Sequence, residues 1–121
     1  RDFIYVRDIA RANFYALTKD GIDSTALNVG TGQPTTILDL ARLLAESLGV
    51  SIEPTVLNRF RTGDVRHCYA DITRIRQQLG WEPQTSLEEG LEELLAWARE
   101  QRPVDHVEQA VKELSERGLA Q

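Results

Sequence analysis

Apolar positions recur at helical spacing in five stretches of the chain and form short strand-like runs in three others. From about Arg7 to Lys19, Ile9, Ala12, Ala16 and Leu17 fall near one helical face. Asp8 sits where the positive helix start favours a carboxylate, and Asp20-Gly21 ends the helix. Thr36 is an N-cap with Asp39 three residues on; Ile37, Leu40, Ala41, Leu44 and Leu48 then mark a second helix that Gly49 closes. Asp71 and Thr73 open a short third helix that stops near Gly80. Ser86-Leu87-Glu88-Glu89 has the form of a capping box before Leu91, Leu94, Leu95 and Trp97, and Pro103 ends that helix. Val107, Ala110, Val111 and Leu114 form a last stripe within Val104 to Leu119. The strand-like runs are Phe3 to Val6, Ala26 to Val29, and Ile52 to Leu57, where Pro54 suggests an edge. No turn or cap precedes Phe3, so that run reads as a strand already under way and the chain as a piece of something longer.

The order strand–helix–strand–helix–strand–loop–helix–helix–helix predicts an α/β fold: a small partial domain with a few short strands and about five helices. A sheet this small is expected to lean on something outside the chain. With 121 residues and a 41% hydrophobic fraction, one modest core is available. The formal net charge of −5 argues against non-specific nucleic-acid binding, which needs a basic patch or stripe. No apolar run approaches the roughly 20 residues that span a bilayer, and the first residues lack the apolar core of a signal peptide. The lone Cys68 forms no internal disulfide and fits a reducing compartment, so a cytoplasmic location is expected.

Three motifs suggest chemistry and fall short. Tyr15 and Lys19 have the spacing in which a lysine one turn on activates a tyrosine, a spacing amphipathic helices reach by chance. Gly30-Thr31-Gly32 starts like a dinucleotide fingerprint, but its third glycine is replaced by Thr35. His67 and Cys68 have no partners at metal-ligand spacing. The loop Arg59-Phe60-Arg61-Thr62-Gly63-Asp64-Val65-Arg66 differs, because three arginines and an aspartate make a local cation in an acidic chain. Guanidinium forks match diphosphate oxygens, a carboxylate accepts bonds from ribose hydroxyls, and Gly63 lets the backbone come close to a ligand. A solvated, charged surface loop has the same composition.

Four segments in order carry a family resemblance: Arg1-Asp2-Phe3-Ile4-Tyr5-Val6-Arg7-Asp8-Ile9-Ala10-Arg11-Ala12; Leu27-Asn28-Val29-Gly30-Thr31-Gly32; Arg61-Thr62-Gly63-Asp64-Val65; and Asp71-Ile72-Thr73-Arg74 on to Leu79-Gly80-Trp81-Glu82-Pro83. The chain resembles the carboxy-terminal, substrate-binding portion of Rossmann-type extended short-chain dehydrogenase/reductases, specifically the NAD-dependent nucleotide-sugar epimerases and dehydratases, UDP-glucose 4-epimerase among them. The resemblance implies that Arg1 and Arg61 hold the diphosphate of a nucleotide-diphosphate sugar and that Asp64 contacts its ribose. Arg59 and Arg66 have no matching role, and Asp2, Asp8 and Asp71 are expected to cap or brace structure. In that family the NAD loop and the catalytic Tyr-x-x-x-Lys lie upstream of the first segment. The chain is therefore expected to hold no catalytic residue, no cofactor site and no metal, and to be inactive alone, with NAD belonging to the parent enzyme. Residues 1–101 form the substrate-binding portion on this view, and 102–121 a helical extension. The missing NAD-binding domain is one expected partner. Self-association through an apolar patch around Phe3, Tyr5, Leu27 and Val29 is another expectation. A stand-alone binding or protein-interaction module derived from the same family is the alternative.

Overall fold

The computed structural model describes residues 1–22, 24–58 and 60–119. Arg59, one of the loop arginines, lies outside the described residues. Among the described residues five helices follow one another: α1 (Val6–Thr18), α2 (Ile37–Leu48), α3 (Thr73–Leu79), α4 (Leu87–Arg99) and α5 (Val107–Glu116). None is long and apolar enough to cross a membrane.

Local chemistry sets most of these boundaries. The Thr36 hydroxyl accepts from the Asp39 amide at 3.0 Å and starts α2. At its far end Gly49 turns left-handed at φ 67°, and the Val50 amide returns to the Ala45 carbonyl. Asp71 accepts from the Thr73 amide at 2.9 Å before α3, and Gly80 closes that helix at φ 63°. Ser86 and Glu89 form the reciprocal capping box of α4. That helix stops at Arg99, short of Pro103.

The core is small. Ala12 of α1 packs with Ile72, Ile75 and Leu79 of the α3 region and with Trp81, which is 1% exposed. Ile4, Tyr15, Ile22, Leu27, Val29 and Ala70 close around this cluster. A second contact joins α2 to α4, with Leu91 and Leu95 buried and Leu40, Ala41 and Leu44 half-buried. On α1 the inward stripe is Asp8, Ala12 and Tyr15, whereas Ala16 is exposed and Leu17 is 86% exposed. At about 100° per residue, Leu17 lies half a turn around the helix from Asp8. The expected apolar stripe of α1 thus holds at Ala12 and at the half-buried Ile9 and fails at Ala16 and Leu17.

The expected strands do not form. Among the described residues there is no strand: Val6 already belongs to α1, and Phe3 to Tyr5, Ala26 to Val29 and Ile52 to Leu57 form no ladder. Ile4, Leu27 and Val29 gain their burial from the α3 cluster instead of from neighbouring strands. Ile52, Val56 and Leu57 stay about two-thirds exposed. β-branched and aromatic composition signals a backbone that prefers to be extended; pairing also needs a partner edge. Arg1 and Thr35 exchange main-chain bonds of 2.7 and 2.8 Å, and Arg61 forms an isolated bridge. The residues expected to form an exposed patch, Phe3, Tyr5, Leu27 and Val29, are half-buried; large exposed apolar side chains lie elsewhere, on α1 at Val6, Phe14 and Leu17 and on α4 at Leu94 and Trp97.

Candidate functional site

The arginine loop is shaped by two backbone positions with positive φ, Asn58 at 54° and Gly63 at 88°. Arg61 to Asp64 closes as a turn, with the Asp64 amide bonded to the Arg61 carbonyl at 3.0 Å. Gly63 stands at the third place of that turn, where a positive φ favours glycine. The same turn brings the two side chains together: Arg61 Nε donates to Asp64 Oδ2 at 3.1 Å, and both side chains remain well exposed. An exposed ion pair of this kind contributes little to folding, so its partners exchange readily for a better-matched ligand.

Arg1 reaches this loop from 64 residues away, its guanidinium donating to the Val65 carbonyl. Its main chain is fixed through the exchange with Thr35 and through its neighbour Asp2. The Asp2 carboxylate accepts from the Thr31 hydroxyl at 2.6 Å and from the amides of Thr31, Gly32 and Ala70 at 2.8, 3.1 and 3.0 Å. Burial pushes the Asp2 pKa up, but those four bonds together outweigh it and hold the carboxyl below its ordinary value. Arg1, Asp2, Asn28, Gly30, Cys68 and Tyr69 line an open cleft of ≈ 410 Å³. The structure thus joins Arg1 to the loop at Val65. Arg61 and Asp64 pair with each other and do not line that cleft. Arg66 is exposed.

Gly30-Thr31-Gly32 does not suit a dinucleotide. The amides of Thr31 and Gly32, which would face a pyrophosphate, already serve Asp2. A Cβ on Gly30 would meet Asp2 Oδ2 at 2.5 Å and the Ala70 Cβ at 2.6 Å, so this glycine admits the Asp2 carboxylate and the Ala70 side chain. These residues do not fit NAD. Tyr15 packs on the core while Lys19 is exposed.

Asp8 braces structure as the resemblance implied, and its depth of burial is what the sequence did not show. It is 2% exposed, accepts from the amides of Gln84 and Thr85 at 3.0 Å each, and pairs with Arg11 at 2.7 Å. Arg11 in turn lies over the Trp81 ring, 6.0 Å from its centroid, and donates to the Glu82 carbonyl and to Gln84. The available signal was a carboxylate in phase with Ala12 and Tyr15 on an otherwise apolar stripe. A second network, Tyr5 and Arg7 both donating to Glu93, had no such signal because its members are 86 to 88 residues apart.

Residues 1–94 match the family model described as GDP-mannose 4,6 dehydratase. The dTDP-L-rhamnose 4-epimerase of Burkholderia thailandensis is 42% identical over 97 residues, which covers 80% of this chain and 26% of that protein. The UDP-glucose 4-epimerase of Bacillus subtilis is 31% identical over 99 residues, 80% of this chain and 29% of that one. Among solved structures, UDP-glucose 4-epimerase from Thermotoga maritima with UDP-glucose superposes with a TM-score of 0.75 at 43% identity, covering 82% of this chain and 31% of that one. MoeE5 in complex with UDP-glucuronic acid and NAD superposes at 0.71 with 31% identity, covering 82% and 33%. The chain therefore spans between about a quarter and a third of the length of these relatives, and over that span it has the fold of Rossmann-type short-chain dehydrogenase epimerases. With the order of its four segments, the family model and the superpositions in agreement, the chain belongs to the GDP-mannose 4,6 dehydratase family of nucleotide-sugar epimerases and dehydratases.

Proposed function

We propose that residues 1–101 are the nucleotide-sugar-binding lobe of a cytoplasmic, NAD-dependent epimerase or dehydratase, with residues 102–121 a helical extension. The observation that carries this reading is the junction of Arg1 with the Arg61–Asp64 turn at Val65. It gathers two guanidinium groups and a carboxylate on one exposed edge of an acidic chain. Arg1 and Arg61 would take the diphosphate, and Asp64, released from Arg61, would accept from the ribose hydroxyls. Two superposable relatives were solved with a UDP-sugar, which supports the ligand class.

NAD supplies hydride chemistry when an enzyme of this family binds it, and the residues here do not fit it, so the lobe alone performs no turnover on this reading. Its contribution is grip. Binding energy from a diphosphate remote from the reacting carbon positions that carbon for chemistry done elsewhere.

The test is a titration of the chain with UDP and dTDP at fixed ionic strength, followed by amide chemical shifts. Arg61→Ala should weaken binding about ten- to hundred-fold, the worth of a charge-assisted bidentate contact. Asp64→Asn should cost less, and Arg66→Ala less than Arg61→Ala. NAD should leave the spectrum unchanged. Equal, negligible losses for Arg61→Ala and Arg66→Ala would sink the assignment.

A further inference from the structure

The far end of the chain touches the same turn. The Thr62 amide, between Arg61 and Gly63, donates to the Leu119 carbonyl at 2.9 Å across a sequence separation of 57. Local chemistry explains how that carbonyl comes to point there. After α5 the Gly118 amide bonds to Ser115 at 3.0 Å, Gly118 turns left-handed at φ 64°, and the Leu119 amide returns to Leu114 at 2.9 Å. This is the Schellman pattern, which reverses the chain and commits the Leu119 amide to the helix. The Leu119 carbonyl is left free to accept from outside. The remainder of α5 is exposed, apart from a half-buried Leu114, and the matched family segment ends at residue 94. The contact is therefore a feature of this chain beyond the portion its family model describes.

We propose that the α5 tail is a strap that orders the Arg61–Asp64 turn and so raises its affinity for a nucleoside diphosphate. The turn is exposed along its length and carries a positive φ at Gly63, with another upstream at Asn58, so on its own it has little to hold it. Among the described residues, its outside ties are Arg1 on Val65 and Leu119 on Thr62. A loop held in shape before the ligand arrives loses less conformational freedom on binding. The inference rests on the assignment of Arg61 and Asp64 to the nucleotide.

Three variants separate the possibilities. Deletion of residues 117–121 removes the strap. Gly118→Val keeps the tail but opposes the left-handed turn, and a Cβ at Gly118 meets nothing within 4 Å, so the effect is one of backbone conformation. Gly118→Asn tolerates the turn and should restore it. Amide hydrogen exchange at Thr62 and titration with UDP and dTDP are measured on each, with Arg61→Ala alongside. The expected result is faster Thr62 exchange and about five-fold weaker nucleotide binding for the deletion and for Gly118→Val, with Gly118→Asn close to the parent. Unchanged Thr62 exchange overturns the strap. Faster exchange with unchanged affinity, while Arg61→Ala still weakens binding, overturns its role at the site. Faster exchange with neither the strap variants nor Arg61→Ala affecting nucleotide overturns the site assignment and the strap's role in binding with it.

Discussion

Asp2 and Asp8 on one side, and Asp64 on the other, place carboxylates of the same chain under opposite conditions. Asp2 and Asp8 each gather backbone amides from segments distant in sequence: Asp2 ties the amino-terminal run to residues 31, 32 and 70, and Asp8 ties α1 to residues 84 and 85. Among the described residues, Asp64 has only its own turn and an exposed arginine. A carboxylate whose oxygens are filled by amides holds a fold, and replacing those bonds is expensive. A carboxylate paired at the surface can change partner at small cost, which is what a ligand site requires. The contrast predicts that damage to folding and damage to binding fall on different residues.

The largest effect should come from Asp8→Ala. It strands the Gln84 and Thr85 amides and leaves Arg11 beside Trp81 without its partner. Breaking a buried pair in this way costs about 3 kcal/mol or more, a large share of the roughly 5–15 kcal/mol that holds a domain folded. Urea denaturation should show it directly, and Asp8→Asn, which keeps an acceptor, should lose less. A loss under about 1 kcal/mol for Asp8→Ala would erase the distinction between the two regions.

Two glycines carry the same comparison one step down. Gly30→Ala forces a Cβ to within 2.5 Å of the Asp2 carboxylate and 2.6 Å of Ala70, so it should destabilise by about 1–3 kcal/mol through overpacking. Gly63→Ala has open space around it and strains only a φ of 88°, so about 1 kcal/mol is expected. The same denaturation series ranks them, and the order should be Gly30 above Gly63.

How much of this was legible in the sequence follows from the range of each interaction. Helix ends were legible because caps act over three or four residues, as at Thr36 with Asp39 and Ser86 with Glu89. The family was legible because four short segments kept their order. The strands were misjudged because Phe3 to Val6 and Ile52 to Leu57 show an extended preference locally, while pairing depends on a neighbour that composition cannot supply. The Arg61 turn could be read from Gly63, but its meeting with Arg1 and with Leu119 spans 64 and 57 residues and leaves no local trace. Burial of Asp8 was half-legible, since its phase with Ala12 marks the inward face and its charge argues against that position.

Acid should weaken the braced region first. The Asp2 pKa is depressed in the folded chain, so its contribution to stability is fully present above the ordinary aspartate value of about 4 and is lost as pH falls through the lower folded value. Urea midpoints measured downward from about pH 5 should fall below about pH 4. The fall should be shallower in Asp2→Asn, which has no charge to lose at that position. Asp71 and Glu89, each lowered first by a backbone bond at its helix start, act in the same direction and keep some acid dependence in that variant. An identical pH profile for the parent and Asp2→Asn would remove Asp2 from the account.

The smallest folding effect should be at Arg61 and Asp64, and its smallness is informative. The pair is 3.1 Å apart with side chains 64% and 41% exposed, so water and salt screen it and two long side chains must be held still to keep it. Arg61→Ala and Asp64→Asn should each change unfolding free energy by no more than about 0.5 kcal/mol, and the double substitution should show a coupling of similar or smaller size. Raising salt from about 0.1 to 1 M should shrink that coupling toward zero. The same Arg61→Ala protein should lose nucleotide affinity ten-fold or more, because a diphosphate offers the guanidinium two oxygens in a bidentate fit that Asp64 Oδ2 does not provide. Stability and affinity are therefore measured on one preparation. A loss of stability above about 1 kcal/mol for Arg61→Ala would place the turn with Asp2 and Asp8 as a brace, and the weakened binding would then follow from a loosened fold.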